Sequence, residues 1–212
     1  MNESLPNRST RSQRTREALI LAGLRLFAAH PVDAVAIDEI VAEAGVSKGS
    51  FFNHFTDKQA FAGEVATHVR LAIEARIAAA NSGVTDPLLR LAGGMMVATA
   101  FAMAEPDQAR VMLRAMASTT ARDHPLNAGL RADLAACREA GLLRPEAEGA
   151  GLLFWLGSCQ MIMLNVVERG LPAQGVAERM ADLMVLSLAG LGIPEVRSRE
   201  IAADCAARIL GP

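Results

Sequence analysis

Apolar positions recur with helical spacing along most of the chain. Ile20, Gly23, Leu24 and Phe27 stand at i, i+3, i+4 and i+7, and Ile37, Ile40, Val41 and Ala44 repeat the pattern. Each segment therefore buries one stripe of an amphipathic helix. Pro87, Pro106, Pro125 and Pro145 each precede another periodic stretch, and proline at a first helical position presets φ without losing a hydrogen bond. Asp86 before Pro87 is a natural N-cap. The spacing predicts helices over 12–29, 37–44, 48–54, 57–80, 87–104, 106–118, 126–140, 146–168, 174–191 and 198–210. No stretch alternates with period two, so the expected fold class is all-α.

The chemistry of the apolar positions changes along the chain. Four of the seven phenylalanines lie in 51–61, whereas nine of the ten methionines lie between Met95 and Met184. Asn81-Ser82-Gly83 reads as a loop. The expected organisation is a helix-turn-helix domain over 1–56 followed by a larger helical domain over 57–212, with 57–80 as the connecting helix.

Composition narrows the class. Half of the 212 residues are hydrophobic and Tyr is absent, a folded and helical composition. A net charge of −2 excludes a uniformly basic coat but not a local patch. Arg8, Arg11, Arg14 and Arg16 face the single acid Glu3 in the first sixteen residues, and the only lysines are Lys48 and Lys58. Cys137, Cys159 and Cys205 are odd in number and form no CxxC, as expected of buried free thiols in a reducing cytoplasm. The polar N-terminus has no apolar signal region, so a cytoplasmic location is expected. Residues 149–167 carry no charge, but they contain Ser158, Gln160 and Asn165 and are flanked by Glu148 and Glu168. A helix covered on nearly all sides, in a core or a dimer interface, accounts for them without a membrane.

The N-terminal unit has the parts of a DNA reader. Gly45 follows Ala44 where a left-handed residue can end a helix. Val46 can plug the turn, and Ser47 can cap the next helix. In that short helix Phe51 and Phe55 are four apart and face inward, leaving Ser47, Lys48, Gly49, Ser50, Phe52, Asn53 and His54 as candidate DNA contacts. Thr56-Asp57-Lys58-Gln59 reads as a capping box with Thr56 as cap and Gln59 reaching back. Lys58 then adds charge to a helix N-terminus that favours phosphate. Two amphipathic helices about a Gly turn also occur in helical proteins with no DNA role. The lysine placement and the outward Asn and His favour DNA.

Residues 16–61 resemble the N-terminal domain of the TetR family of bacterial transcription regulators. The matching stretches are ILAGLRLF (20–27), IDEIVAEAGV (37–46) and SKGSFFNHFTDKQAF (47–61), the last being the most specific. The resemblance implies an all-helical homodimer, a recognition helix at 48–54 and a ligand-binding body beyond it. Ala36 stands where the family usually has a Ser or Thr cap, a difference worth about 0.5–2 kcal/mol. Phe52 stands where Tyr is common, and Val41 where Ala is usual.

Nothing in the chain looks catalytic. It has no GxSxG, Walker loop, GxGxxG or HExxH, and His30, His54, His68 and His124 are scattered. No enzyme activity, metal or cofactor is expected. In the body, Met96, Thr99 and Met103 share a stripe, Met112 and Met116 are four apart, and Trp155, Cys159 and Met163 mark one face of the uncharged helix. These eight are the candidate ligand-binding residues, since Met lines adaptable pockets; the same stripes also fit plain core. Arg114 and Asn165 are candidate polar anchors or, equally, solvated or structural residues. The 174–191 helix is apolar over most of its circumference. A twofold mate would bury it together with 149–167, with Leu183 and Leu186 at the interface. The expected function is a homodimeric, ligand-responsive repressor, released from a palindromic double-stranded DNA operator by an apolar or amphipathic small molecule. The alternative is a helical module for a lipid or protein partner with little DNA affinity.

Overall fold

The computed structural model describes residues 8–114 and 124–211. Among the described residues it is helical without strands. In order come α1 (Arg8–Ala29), α2 (Ile37–Ala44), α3 (Lys48–Phe52), α4 (Lys58–Ala80), α5 (Pro87–Ala104), α6 (Pro106–Arg114), α7 (Ala128–Glu139), α8 (Ala147–Arg169), α9 (Ala173–Leu191) and α10 (Glu195–Leu210). Short 3₁₀ turns occupy Val32–Ala34 and Pro125–Asn127. The second replaces the start of the helix predicted over 126–140. There the His124 ring accepts from the Leu126 N–H at 3.3 Å and holds a tight turn before α7 begins. The predicted extension of α6 over 115–118 lies outside the described residues.

Local chemistry sets most helix ends. Asp86 caps α5, accepting from the N–H groups of Leu88 and Leu89 at 2.8 and 3.4 Å. Gly45 ends α2 at φ 66° and ψ 33°, with its N–H on Ala42 O and that of Val46 on Val41 O. This paired closure needs a left-handed residue, which glycine supplies without strain. At α4 the cap is Asp57, not Thr56: its carboxylate accepts from Ala60 N at 2.8 Å, while Thr56 bonds only to Asp57. Gln59 does not reach back but donates to Asp33 at 3.0 Å, which draws the cap one residue along. Ala36 precedes α2 with no side-chain cap.

Three buried clusters organise the fold. The N-terminal cluster joins α1, α2, α3 and the first turns of α4 around Phe61, whose ring meets those of Phe27, Phe51 and Phe55 at 5.7, 5.2 and 4.8 Å. Farther along α4, Val69 and Ile73 enter a second cluster with Phe101 of α5, Met112 of α6 and Met163 of α8. The third joins α5, α7, α8, α9 and α10 around Met95, Trp155, Met180 and Met184. One polar contact lies inside the α8–α9 contact. The Ser187 hydroxyl donates to Ser158, which donates to Phe154 O, both at 3.0 Å. By length and hydropathy α5 and α8 could cross a membrane, but about half of each is buried within the fold.

α6 ties the two ends of the molecule together. Val111 belongs to the N-terminal cluster, and Met112 to the second. Arg114 donates to Phe27 O at 2.7 Å and to His30 O at 3.4 Å, so its cation sits on the free carbonyls at the end of α1. Its role is structural rather than that of a ligand anchor.

Candidate DNA interface and ligand cavity

The turn between α2 and α3 is closed by its own residues. Ser47 Oγ accepts from Ser50 N at 3.2 Å and lies 2.9 Å from Ser50 Oγ. Helix α3 stops at Phe52, two residues short of the predicted end. Asn53 and His54 continue the spiral as a turn, with Phe55 N still bonded to Phe51 O at 3.0 Å. Phe51 and Phe55 are buried, while Phe52 is 51% exposed with its ring edge-on to Phe51 at 5.3 Å. Ser47, Lys48, Gly49 and Asn53 are exposed, and Ser50 and His54 are half-buried.

The two lysines differ. Lys48 Nζ lies 2.9 Å from Asp38 of α2 in an exposed pair. Such pairs contribute about 0–1 kcal/mol and are readily exchanged for a phosphate. Lys58 is half-buried and donates to Asp33 O and Val35 O at 3.0 and 2.9 Å. An ammonium has three donors, so Lys58 closes the 3₁₀ turn with two of them and has one to offer elsewhere. Sequence reasoning did not find this clamp, because its partners are 23 and 25 residues away. Ion pairs Arg16–Glu64 and Arg25–Glu43 brace α1 against α4 and α2. Arg11 and Arg14 are exposed near the start of α1.

A cavity of about 350 Å³ lies between α4, α5, α6, α7 and α8, in the lower range of small-molecule sites. Met112, Trp155, Cys159 and Met163 are on its wall. Met96, Thr99 and Met103 are not among the lining residues, and Met116 lies outside the described residues. The cavity face of α5 is Arg90, Leu91, Gly94 and Ala98, of which Gly94 and Ala98 are small enough to leave the hollow. Met96 packs into the core, Thr99 bonds to Met95 O at 2.8 Å, and Met103 is half-buried against the second cluster. The sequence reading also missed the polar wall formed by Arg70 and Glu74 of α4, Arg90 of α5, Asp133 of α7 and Gln160 of α8. Asn165 lies outside the lining residues, and its Oδ1 is buried without a partner among the described residues.

The opposite faces of α8 and α9 are apolar and open. Leu153, Phe154 and Met161 of α8 and Leu186 of α9 are exposed, Leu186 by 69%. Leu183 is half-buried and packs into the body's core.

Residues 19–65 match the model for bacterial regulatory proteins of the tetR family. This N-terminal segment is therefore similar to the helix-turn-helix domain of the tetR family. Over 50 residues it is 42% identical to the HTH-type transcriptional repressor DhaR of Mycobacterium sp. (strain GP1), a match covering 24% of this chain and 25% of that protein. The chain thus matches about a quarter of the curated relative's length. The likeness in fold extends much further. A TetR family transcription regulator from Marinobacter aquaeolei VT8 superimposes with a TM-score of 0.70 at 16% identity, covering 88% of this chain and 100% of that one. RolR in complex with resorcinol superimposes with a TM-score of 0.64 at 20% identity, covering 92% and 96%. The chain is therefore similar to tetR-family regulators in its N-terminal sequence and in its fold, a helix-turn-helix unit on a larger helical body.

Among the described residues, no cluster of three or more His, Cys, Asp or Glu could hold a metal ion. Burial pushes the Cys159 thiol up to about 12, although Cys159 opens onto the cavity. Burial, reinforced by Asp133 and Asp86, raises Cys137 to about 11, and burial raises Cys205 to about 11. The ordinary value is 9.0. A thiol raised in the folded state keeps its proton longer than in the unfolded chain. Its contribution is complete below about pH 9 and is lost as pH climbs toward 11–12. With no Tyr in the chain, melting temperature is expected to hold from pH 7 to 8.5 and fall above pH 9. Replacing all three cysteines with Ala should flatten that fall in a pH series of thermal melts.

Proposed function

We propose that this regulator is a cytoplasmic homodimer that binds a palindromic operator through α3 and the turn after it. An apolar or amphipathic small molecule entering the cavity releases it. The observation that carries this reading is α6. One short helix sets Met112 on the cavity wall, Val111 in the N-terminal core and Arg114 on the end of α1. A ligand that displaces α6 therefore displaces the DNA-binding unit, and α4, which also lines the cavity, carries the same motion. The TetR-type structures supply the precedent, RolR being seen with resorcinol.

On this reading Asn53 and His54 reach base edges in the major groove, Lys48 exchanges Asp38 for a phosphate, Ser47, Gly49, Ser50 and Phe52 lie beside the backbone, and Lys58 offers its remaining donor to a phosphate. Leu153, Phe154, Met161 and Leu186 supply the apolar surface for the twofold mate, with Leu183 at its inner edge. A twofold dimer requires two half-sites about 34–36 Å apart or a multiple of that spacing. Selection from random duplexes should return an imperfect palindrome, and asymmetric single sites alone would refute the proposal. On the selected operator, loss of Asn53 or His54 should alter sequence preference. Lys48→Ala should weaken all sequences alike and lower the salt slope by about one.

Phe52 gives a gain-of-binding test. Tyr is common there in the family, and the exposed, edge-packed ring has room for a hydroxyl. Phe52→Tyr is expected to leave thermal stability unchanged and tighten operator binding several-fold. A hydrogen bond to a charged acceptor is worth about 1.5–3 kcal/mol before desolvation. A loss of stability of about 1 kcal/mol or more would show that the added hydroxyl is buried.

A further inference from the structure

We infer that the cavity selects an uncharged, mainly apolar molecule bearing a hydroxyl or carbonyl group. The inference rests on the reading of the cavity as the effector site and goes on to its chemical selectivity. Four ionisable side chains of opposite sign line the wall, and they are already matched in pairs. Arg70 Nη2 lies 2.6 Å from Glu74 Oε1, and Arg90 Nε lies 2.6 Å from Asp133 Oδ1. Both carboxylates are largely buried, as is Arg70, which also reaches Leu126 O at 3.5 Å. The wall therefore carries no net charge. An anionic ligand would have to compete with Glu74 or Asp133 for a guanidinium, and a cationic one with an arginine for a carboxylate. Either would leave a charge buried and unpaired, which is strongly unfavourable.

Neutral hydrogen bonding remains available. Trp155 and Gln160 lie on the cavity stripe of α8, formed by Trp155, Leu156, Cys159, Gln160 and Met163. Neither the Trp155 indole N–H nor the Gln160 amide has a hydrogen-bond partner among the described residues. An indole N–H gives a hydrogen bond, and a primary amide both gives and accepts. Around them Ile73, Ile77, Leu91, Leu130, Met112 and Met163 supply apolar contact. A neutral oxygen on an apolar frame satisfies α8 without disturbing either ion pair.

Trp155 is the only tryptophan and there is no tyrosine, so intrinsic fluorescence reports this cavity alone. The test titrates the full-length protein with 1-adamantanemethanol, 1-adamantanecarboxylate and 1-adamantanemethylamine, which share a rigid apolar frame and differ in charge. The alcohol is expected to perturb Trp155 fluorescence at a concentration at least tenfold lower than either ion. In Asp133→Asn, which frees Arg90, the preference should move at least tenfold toward the carboxylate. Glu74→Gln, freeing Arg70, should do the same and serves if Asp133→Asn fails to fold. Wild-type protein that takes either ion as well as the alcohol would overturn the inference and leave the effector site standing. So would two folded variants whose preference is unchanged. If none of the compounds perturbs Trp155 in any of the proteins, the cavity is not a ligand site and the proposed effector reading falls with it.

Discussion

On the proposed function, Leu186→Arg is expected to turn a dimer into a monomer at micromolar concentration and to weaken operator binding by about 100-fold or more. The side chain is 69% exposed on α9, so arginine there does not disturb the monomer's core. Leu153, Phe154 and Met161 are exposed on α8, and Phe154 lies across α9 with its ring 3.0 Å from where a Cβ on Gly190 would stand. In a twofold arrangement the substitution appears twice, burying two like charges in a largely apolar contact. Losing the second recognition helix removes an effective-concentration advantage of about 10²–10⁴. Sedimentation velocity reads the first effect and an operator titration the second. A variant that remains a dimer would remove α9 from the interface. Leu183→Arg is a poorer probe, because Leu183 also packs into the body's core and its loss would affect folding too.

The second large effect is expected at Gly23. A Cβ there would stand 2.6 Å from Phe61 Cζ and 2.8 Å from both Phe61 Cε1 and Val65 Cγ2. α1 and α4 therefore approach as closely as they do only because position 23 has no side chain. Gly23→Ala must push Phe61 out of its contacts with Phe27, Phe51 and Phe55, or move α4 away from α1. Overpacking of this kind costs about 1–3 kcal/mol, against about 1 kcal/mol gained in helix propensity. Each net kcal/mol lowers the melting temperature by about 2–4 °C in a chain of this size. Gly63→Ala is the matched control, since nothing lies within 4 Å of a Cβ at that position. It should be neutral or stabilising. Equal behaviour of the two variants in thermal melts would show that the close approach of α1 and α4 carries no energetic weight.

What was legible in the sequence depended on how far each feature reaches along the chain. The αL turn at Gly45, the Ser47 cap and the Asp86 cap join groups within five residues of one another, so residue type and spacing determined them. The inward faces of α1 and α2 were legible because each carries one apolar stripe against polar residues. The cap of α4 was misplaced by one residue, because Thr56 and Asp57 are both good caps and the choice fell to Gln59, which bonds to Asp33, 26 residues away. The cavity was half legible. α8 showed its Trp155, Cys159 and Met163 face, but eleven of the eighteen residues of α5 are buried. A helix covered nearly all round has no pattern to say which buried side faces a hollow. Only the packing of α4, α6, α7 and α8 around it turned Leu91, Gly94 and Ala98 inward and set the methionines elsewhere. The tertiary structure alone also paired Arg90 with Asp133 across 43 residues and set Arg114 on the end of α1 across 87. Local periodicity and capping chemistry determined the helices. Contacts between residues far apart in the chain decided the charge balance of the cavity and the link from it to the DNA-binding unit.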